Sequence, residues 1–157
     1  MTDNPPPIPV PMPKKILVSV EGSEPSLKES SLKAARYALN LASTLSAELI
    51  GVCVVQIPEY IEESTRVSLR EELVGKSVKT LEEIRELASV SKVRFSSRTL
   101  ETSGSIATAV CNFSEKEGVD LIVLGTRANT AALAKMMLGS VASGVASNAS
   151  CPVLIVR

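Results

Sequence analysis

Histidine is absent from this chain, which removes histidine-dependent catalytic triads, histidine zinc sites and imidazole general bases at once. Net charge is absent too. Seventeen lysines and arginines balance seventeen aspartates and glutamates, so no long-range field draws nucleic acid or an anionic membrane, and neither is an expected partner. Cysteine is scarce: Cys53, Cys111 and Cys151 are odd in number, form no C-x-x-C pair and lie in or beside apolar segments. They read as reduced core thiols of a cytoplasmic protein. No apolar run reaches membrane-spanning length, and the start shows neither the basic nor the apolar region of a signal peptide. Neither G-x-x-x-x-G-K-[ST] nor G-x-G-x-x-G occurs, so a P-loop NTPase and a dinucleotide dehydrogenase are not expected.

What is present suits one domain. The 157 residues are 45% hydrophobic, enough for a single sizeable core. Residues 1–13 hold six of the nine prolines and read as an extended, disordered tail; the domain is expected over 14–157. Residues 16–20 form a short apolar strand. After it, Ser23 is placed to cap a helix and Pro25 to occupy an early helical position. Leu27, Ser31, Ala34, Ala38, Leu41, Ala42 and Leu45 recur at helical spacing as a stripe of mainly small side chains. A second strand is expected over 48–55. A helix follows, with Val67, Val74, Val78, Leu81, Ile84 and Ala88 on one face, and Glu71, Glu72, Glu82 and Glu83 on a solvated one.

Residues 93–100 predict a third strand. Ser103, Gly104 and Ser105 open a short helix through Ile106, Ala109, Val110 and Phe113, ended by Gly118. Residues 119–124 are a fourth, apolar strand, and residues 152–156 a last one. Strands alternating with helical patterns imply right-handed crossovers, hence a parallel sheet with helices on both faces.

In such sheets ligands bind beyond the carboxyl ends of strands, where crossovers pass to opposite faces. The candidates are residues 19–23 after the first strand and the segment from Gly125 to Ser140 after the fourth. Gly139 and Ser140 precede a helix through Val141, Val145 and Ala149, where backbone N–H groups and the helix dipole suit a phosphate. Gly125 and Gly139 equally suit a close crossing of strand and helix, and the residues alone leave both readings open.

The sequence resembles the universal stress protein family. The resemblance is carried by Lys15-Ile16-Leu17-Val18 with Glu21-Gly22-Ser23-Glu24-Pro25-Ser26. Further on it is carried by Val119-Asp120-Leu121-Ile122-Val123-Leu124-Gly125, Leu138-Gly139-Ser140-Val141 and Cys151-Pro152-Val153-Leu154-Ile155-Val156. It implies a three-layer α/β fold of the adenine nucleotide alpha hydrolase-like type, with a five-stranded parallel sheet in order 3-2-1-4-5. It also implies a cytoplasmic homodimer and, in many members, bound ATP or AMP, with Mg²⁺ as a possible companion; other members bind no nucleotide. Position by position, it puts Ser19 and Glu21 beside ribose and base, Val54 against adenine and Leu124 with Gly125 beneath it. Thr126, Arg127 and Asn129 would line the loop, with Gly139, Ser140 and Val141 at the phosphates. Val54 and Leu124 also fit plain core packing, Arg127 a solvated position, and Lys135 the surface.

Three departures from the family pattern stand out. Glu21 replaces an aspartate. The loop after Gly125 is one residue longer, with Ala128 where a glycine is expected and Asn129 as the residue that tolerates a left-handed turn. The first helix is extended by about five residues, since Ser31, Ala34, Ala38, Leu41 and Ala42 match the family spacing better than Ser26. Three functions follow: an adenine-nucleotide-binding stress-response dimer, a nucleotide-free regulatory or structural dimer, or an enzyme of at most slow ATP hydrolysis. The dimer would form through the terminal strand, from Pro152 to Val156, whose apolar edge needs a cover.

Overall fold

The structure, a computed structural model, describes residues 6–7, 10–22, 28–126 and 138–157. Among these the elements run β1 (Lys15–Val20), α1 (Glu29–Leu45), β2 (Glu48–Gln56), α2 (Glu63–Val90), β3 (Phe95–Thr102), α3 (Ile106–Glu117), β4 (Leu121–Gly125), α4 (Ser140–Asn148) and β5 (Val153–Val156). All strands are parallel, in the order β3-β2-β1-β4-β5, as the resemblance implies. The apolar runs of β1, β2 and β4 are buried on both faces because helices cover both sides of the sheet. Ile16, Val18, Leu49 and Cys53 pack toward α1 and α2, while Leu17, Ile50, Val52 and Ile122 pack toward α3 and α4. Alternation along each strand thus feeds two cores.

The small-residue stripe of α1 does what its composition suggests: Ser31, Ala34, Ala38 and Ala42 are buried with Ala35 and Leu39, and the helix lies close on the sheet. Leu41 and Leu45 are half-buried at its margin. Its start is a correction. Lys28 is the N-cap, with extended φ/ψ of −63° and 153° and no side-chain cap, so the described helix begins at Glu29. Ser23, Pro25 and Leu27 themselves lie outside the described residues. Tertiary contacts set this start: the Ser31 hydroxyl accepts the Glu21 N–H at 3.1 Å, and the Ser30 carbonyl lies against Gly125.

The face of α2 is a second correction. Ser77, Thr80, Leu81, Ile84 and Ala88 are buried, whereas Val67 and Val78 are exposed. The helix is turned so that a small hydroxyl residue meets the sheet. A β-carbon on Gly22 would fall 3.1 Å from the Cα of Ser77 and 2.3 Å from the Cys53 sulfur, and the Ser77 hydroxyl shares a 2.7 Å hydrogen bond with Thr99 of β3. A valine at that contact would overfill it.

The remaining ends are closed by local chemistry. Ser105 caps α3 by accepting the Thr108 N–H, and Gly118, at φ 66°, ends it in the left-handed conformation. The N–H of Val119 then returns to the carbonyl of Ser114 while its side chain is buried, a glycine-terminated stop with its hydrophobic contact. One carboxylate oxygen of Asp120 accepts the N–H groups of Lys14 and Lys15 at 2.9 Å each, fixing the start of β1 beside β4. Cys53 and Cys111 are buried and Cys151 is half-buried, all as free thiols.

Candidate functional site

The sheet order places a switch point between β1 and β4: the chain leaves β1 toward β2 on one side and returns from β3 to β4 on the other. At the carboxyl ends of these two strands lies a cavity of about 470 Å³. That volume falls within the roughly 300–1,000 Å³ usual for small-molecule sites.

The cavity is built from both sides of the switch. Ser19, paired in register with Leu124, and Val20 end β1; Glu21 follows them. Ser30 and Ser31 come from the first turn of α1, Val54 from β2 and Ile106 from the first turn of α3. Leu124 and Gly125 end β4, Thr126 follows, and Leu138 with Gly139 leads into Ser140, Val141 and Ala142 of α4. Nine of the residues singled out from sequence therefore share one cavity: Ser19, Glu21, Val54, Leu124, Gly125, Thr126, Gly139, Ser140 and Val141. Arg127 and Asn129, with Ala128 and Lys135, lie outside the described residues.

Its chemistry is divided. Val54, Ile106, Leu124 and Leu138 contribute apolar surface. The starts of α1 and α4 contribute hydroxyl groups from Ser30, Ser31 and Ser140, together with the first-turn N–H groups that a helix cannot satisfy internally. Both helix ends carry partial positive charge, which favours an anion there. Such a site can hold an apolar ring at one end and an anionic group at the other.

The two glycines have different structural reasons. A β-carbon on Gly125 would sit 2.3 Å from the Ser30 carbonyl oxygen, so this residue is a glycine because α1 crosses β4 at backbone contact. Gly139 is the N-cap of α4, at φ 81° and ψ 161°, a conformation open essentially to glycine alone, and among the described residues a β-carbon there would meet nothing within 4 Å. Its N-cap carbonyl accepts the Ser143 N–H at 3.0 Å.

Glu21 supplies the one carboxylate among the described lining residues. It is held in place twice: its N–H donates to Ser31, and its Oε1 accepts from the Lys28 ammonium at 2.9 Å, with both side chains about one-third exposed. Behind it, burial pushes the Cys53 thiol up to about 12, helped by the negative charge of Glu21 and opposed by a hydrogen bond from Ser77. Cys53 therefore stays protonated and unreactive. No group of three or more potential metal-ligating side chains occurs among the described residues. No helix among them is long and apolar enough to cross a membrane.

Sequence reasoning missed Ser30 and Ile106 as parts of this cavity and Lys28 as the partner of Glu21, and it read Ser31 only as a member of the helix stripe that matches the family spacing. Ile106 carried a signal, since it follows the Ser105 cap and so had to stand at a helix start at the carboxyl edge of the sheet. Lys28 carried none.

The model of the universal stress protein family matches residues 12–157. A universal stress protein of Methanocaldococcus jannaschii is 34% identical over 147 residues, covering 92% of this chain and 82% of the relative. Among solved structures, a universal stress protein family member from Burkholderia pseudomallei is 28% identical with a TM-score of 0.69, over 94% of this chain and 98% of that one. An Arabidopsis thaliana family protein solved with AMP bound shares the fold at 20% identity and a TM-score of 0.69, over 92% and 91%. By family match, identity and sheet order together, the chain belongs to the universal stress protein family.

Proposed function

We infer that this chain is a cytoplasmic, homodimeric binding module that holds an adenine nucleotide, ATP or AMP, in the cavity between β1 and β4 and serves the stress response through occupancy of that site. The observation that carries this reading is the pairing, within one 470 Å³ cavity, of an apolar end with the Gly139–Ser140–Val141 helix start. Val54 and Ile106 suit the faces of a purine, and Ser19 with Glu21 suits ribose hydroxyls. Backbone N–H groups and the Ser140 hydroxyl suit phosphate oxygens. The family relatives supply the class of ligand: the Arabidopsis protein was solved with AMP, an Archaeoglobus fulgidus universal stress protein with dAMP, and another with cAMP.

The family resemblance adds Arg127 and Asn129, which lie outside the described residues, to the proposed site. With Glu21 as the one lining carboxylate among the described residues, any Mg²⁺ would enter on the nucleotide's own phosphates, with little protein coordination. The homodimer forms through β5. The opposite edge, β3, carries Arg98, Glu101 and four hydroxyl residues, whereas β5 is Val-Leu-Ile-Val with no polar side chain.

Native mass spectrometry of gently purified protein tests the reading. A dimer retaining a mass that matches AMP or ATP is expected. A ligand-free dimer that shows no thermal shift in millimolar Mg-ATP would instead support the nucleotide-free regulatory function.

A further inference from the structure

Eight residues, 21–28, connect β1 to α1, longer than the two to six usual for such a connection. This connection both begins and ends at the cavity. Its first residue, Glu21, lines the cavity, and its last, Lys28, is the N-cap of α1, two residues before Ser30, which lines the cavity with Ser31. The two ends are joined by the 2.9 Å ion pair, half sheltered from solvent. The Glu29 carboxylate on the same turn is turned to Lys33, at 3.4 Å, and is exposed.

Resting on the nucleotide reading above, we propose that Lys28 sets the preference of this cavity for phosphorylated over unphosphorylated nucleosides, by serving as the counter-ion that cancels the charge of Glu21. A carboxylate lining a site for an anion repels it, and in a partly sheltered cavity that repulsion is weakly screened. Loss of the Lys28 counter-ion beside the Glu21 carboxylate corresponds to roughly a tenfold change in affinity for an anion in the same cavity. The pair thus keeps the carboxylate available for neutral hydroxyl donors while hiding its charge from the phosphate. An uncharged nucleoside, with no phosphate to be repelled, gains nothing from the lysine.

The test is calorimetric titration of wild type, Lys28→Met, Glu21→Gln and the double variant with AMP and with adenosine, each variant first checked for cooperative unfolding. Lys28→Met is expected to weaken AMP about tenfold and to change adenosine less than about twofold. The double variant is expected to regain most of the lost AMP affinity, because without the carboxylate no counter-ion is needed.

Equal weakening of AMP and adenosine by Lys28→Met would overturn the proposal in favour of a structural role. Failure of the double variant to recover would overturn it in favour of direct lysine–phosphate contact. Wild type that binds neither ligand would remove the nucleotide reading itself, and this inference with it; wild type that binds both, with an AMP-to-adenosine ratio unmoved in Lys28→Met, would remove this inference alone.

Discussion

The α-carbon of Gly125 lies against the backbone carbonyl of Ser30, so close that a β-carbon would stand 2.3 Å from its oxygen and 2.8 Å from its carbon. Backbone cannot rotate aside as a side chain can. Gly125→Ala must therefore push the first turn of α1 away from β4, at a cost of about 1–3 kcal/mol for overpacking. Urea denaturation is expected to show a lower midpoint. A midpoint equal to wild type would mean that α1 is not seated on β4 as described.

Gly139 separates shape from binding in the opposite sense. Among the described residues nothing lies within 4 Å of a β-carbon there, so Gly139→Val is expected to cost chiefly the strain of holding φ near 81°, about 1–3 kcal/mol. Unfolding should remain cooperative while any effect of nucleotide on the melting temperature disappears. Full retention of that effect would place the phosphates elsewhere.

Ser31 is 5% exposed, and its hydroxyl is the acceptor for the Glu21 N–H. Ser31→Ala leaves that donor without its acceptor in a half-buried turn, which is expected to cost about 1–2 kcal/mol and to loosen residue 21. Amide exchange at Glu21 should accelerate more than at Val18, whose strand bonding is unaffected. Uniform acceleration at both would indicate a general loss of stability instead.

Much of the fold was legible because its signals are local. The continuous apolar runs of β1 and β4, the Ser105 cap and the Gly118 stop each dictate a backbone state without help from distant residues, and the switch point then follows from strand order. The start of α1 at Glu29 was not legible from local signals, since it is set by the contacts of Ser31 with Glu21 and of Ser30 with Gly125. The orientation of α2 was hidden for a related reason. Ser77 carries no apolar signal, yet Gly22 and Thr99 make its position a place for a small hydroxyl side chain. In the site, Gly139 announced a helix start, whereas the partnership of Lys28 with Glu21 is a product of how the connection folds back.

Cys53 offers a pH test. Its thiol is held protonated up to about 12, while in the unfolded chain it ionises near pH 9, so between those values the unfolded state gives up a proton that the folded state keeps. Stability is unaffected by this group below pH 9 and falls as pH rises above it, by about 1.4 kcal/mol per pH unit. Chemical denaturation of wild type and Cys53→Ala between pH 8 and 11 should show the steeper decline in wild type. Parallel profiles would mean that the thiol is less buried than described.

The edge of the sheet carries a test of assembly. The carbonyls of Pro152 and Val156 accept N–H groups of Ile122 and Thr126 across β4–β5, so by alternation the backbone groups of Val153 and Ile155 face away from the sheet. Ile155→Pro removes an outward donor and no bond to β4. Light scattering at micromolar concentration should give a dimer for wild type and a monomer for this variant; a wild-type monomer would contradict pairing through β5.

The central claim is that the cavity between β1 and β4 holds an adenine nucleotide with its phosphates at the start of α4. Calorimetric titration of wild type and Gly139→Val with AMP tests it most directly. The account predicts one saturable site per chain in wild type and at least about a tenfold loss in the variant, whose added side chain keeps the phosphate from the N–H groups of the helix start. Equal affinity in both proteins, or no heat in wild type at millimolar AMP and ATP, would contradict it.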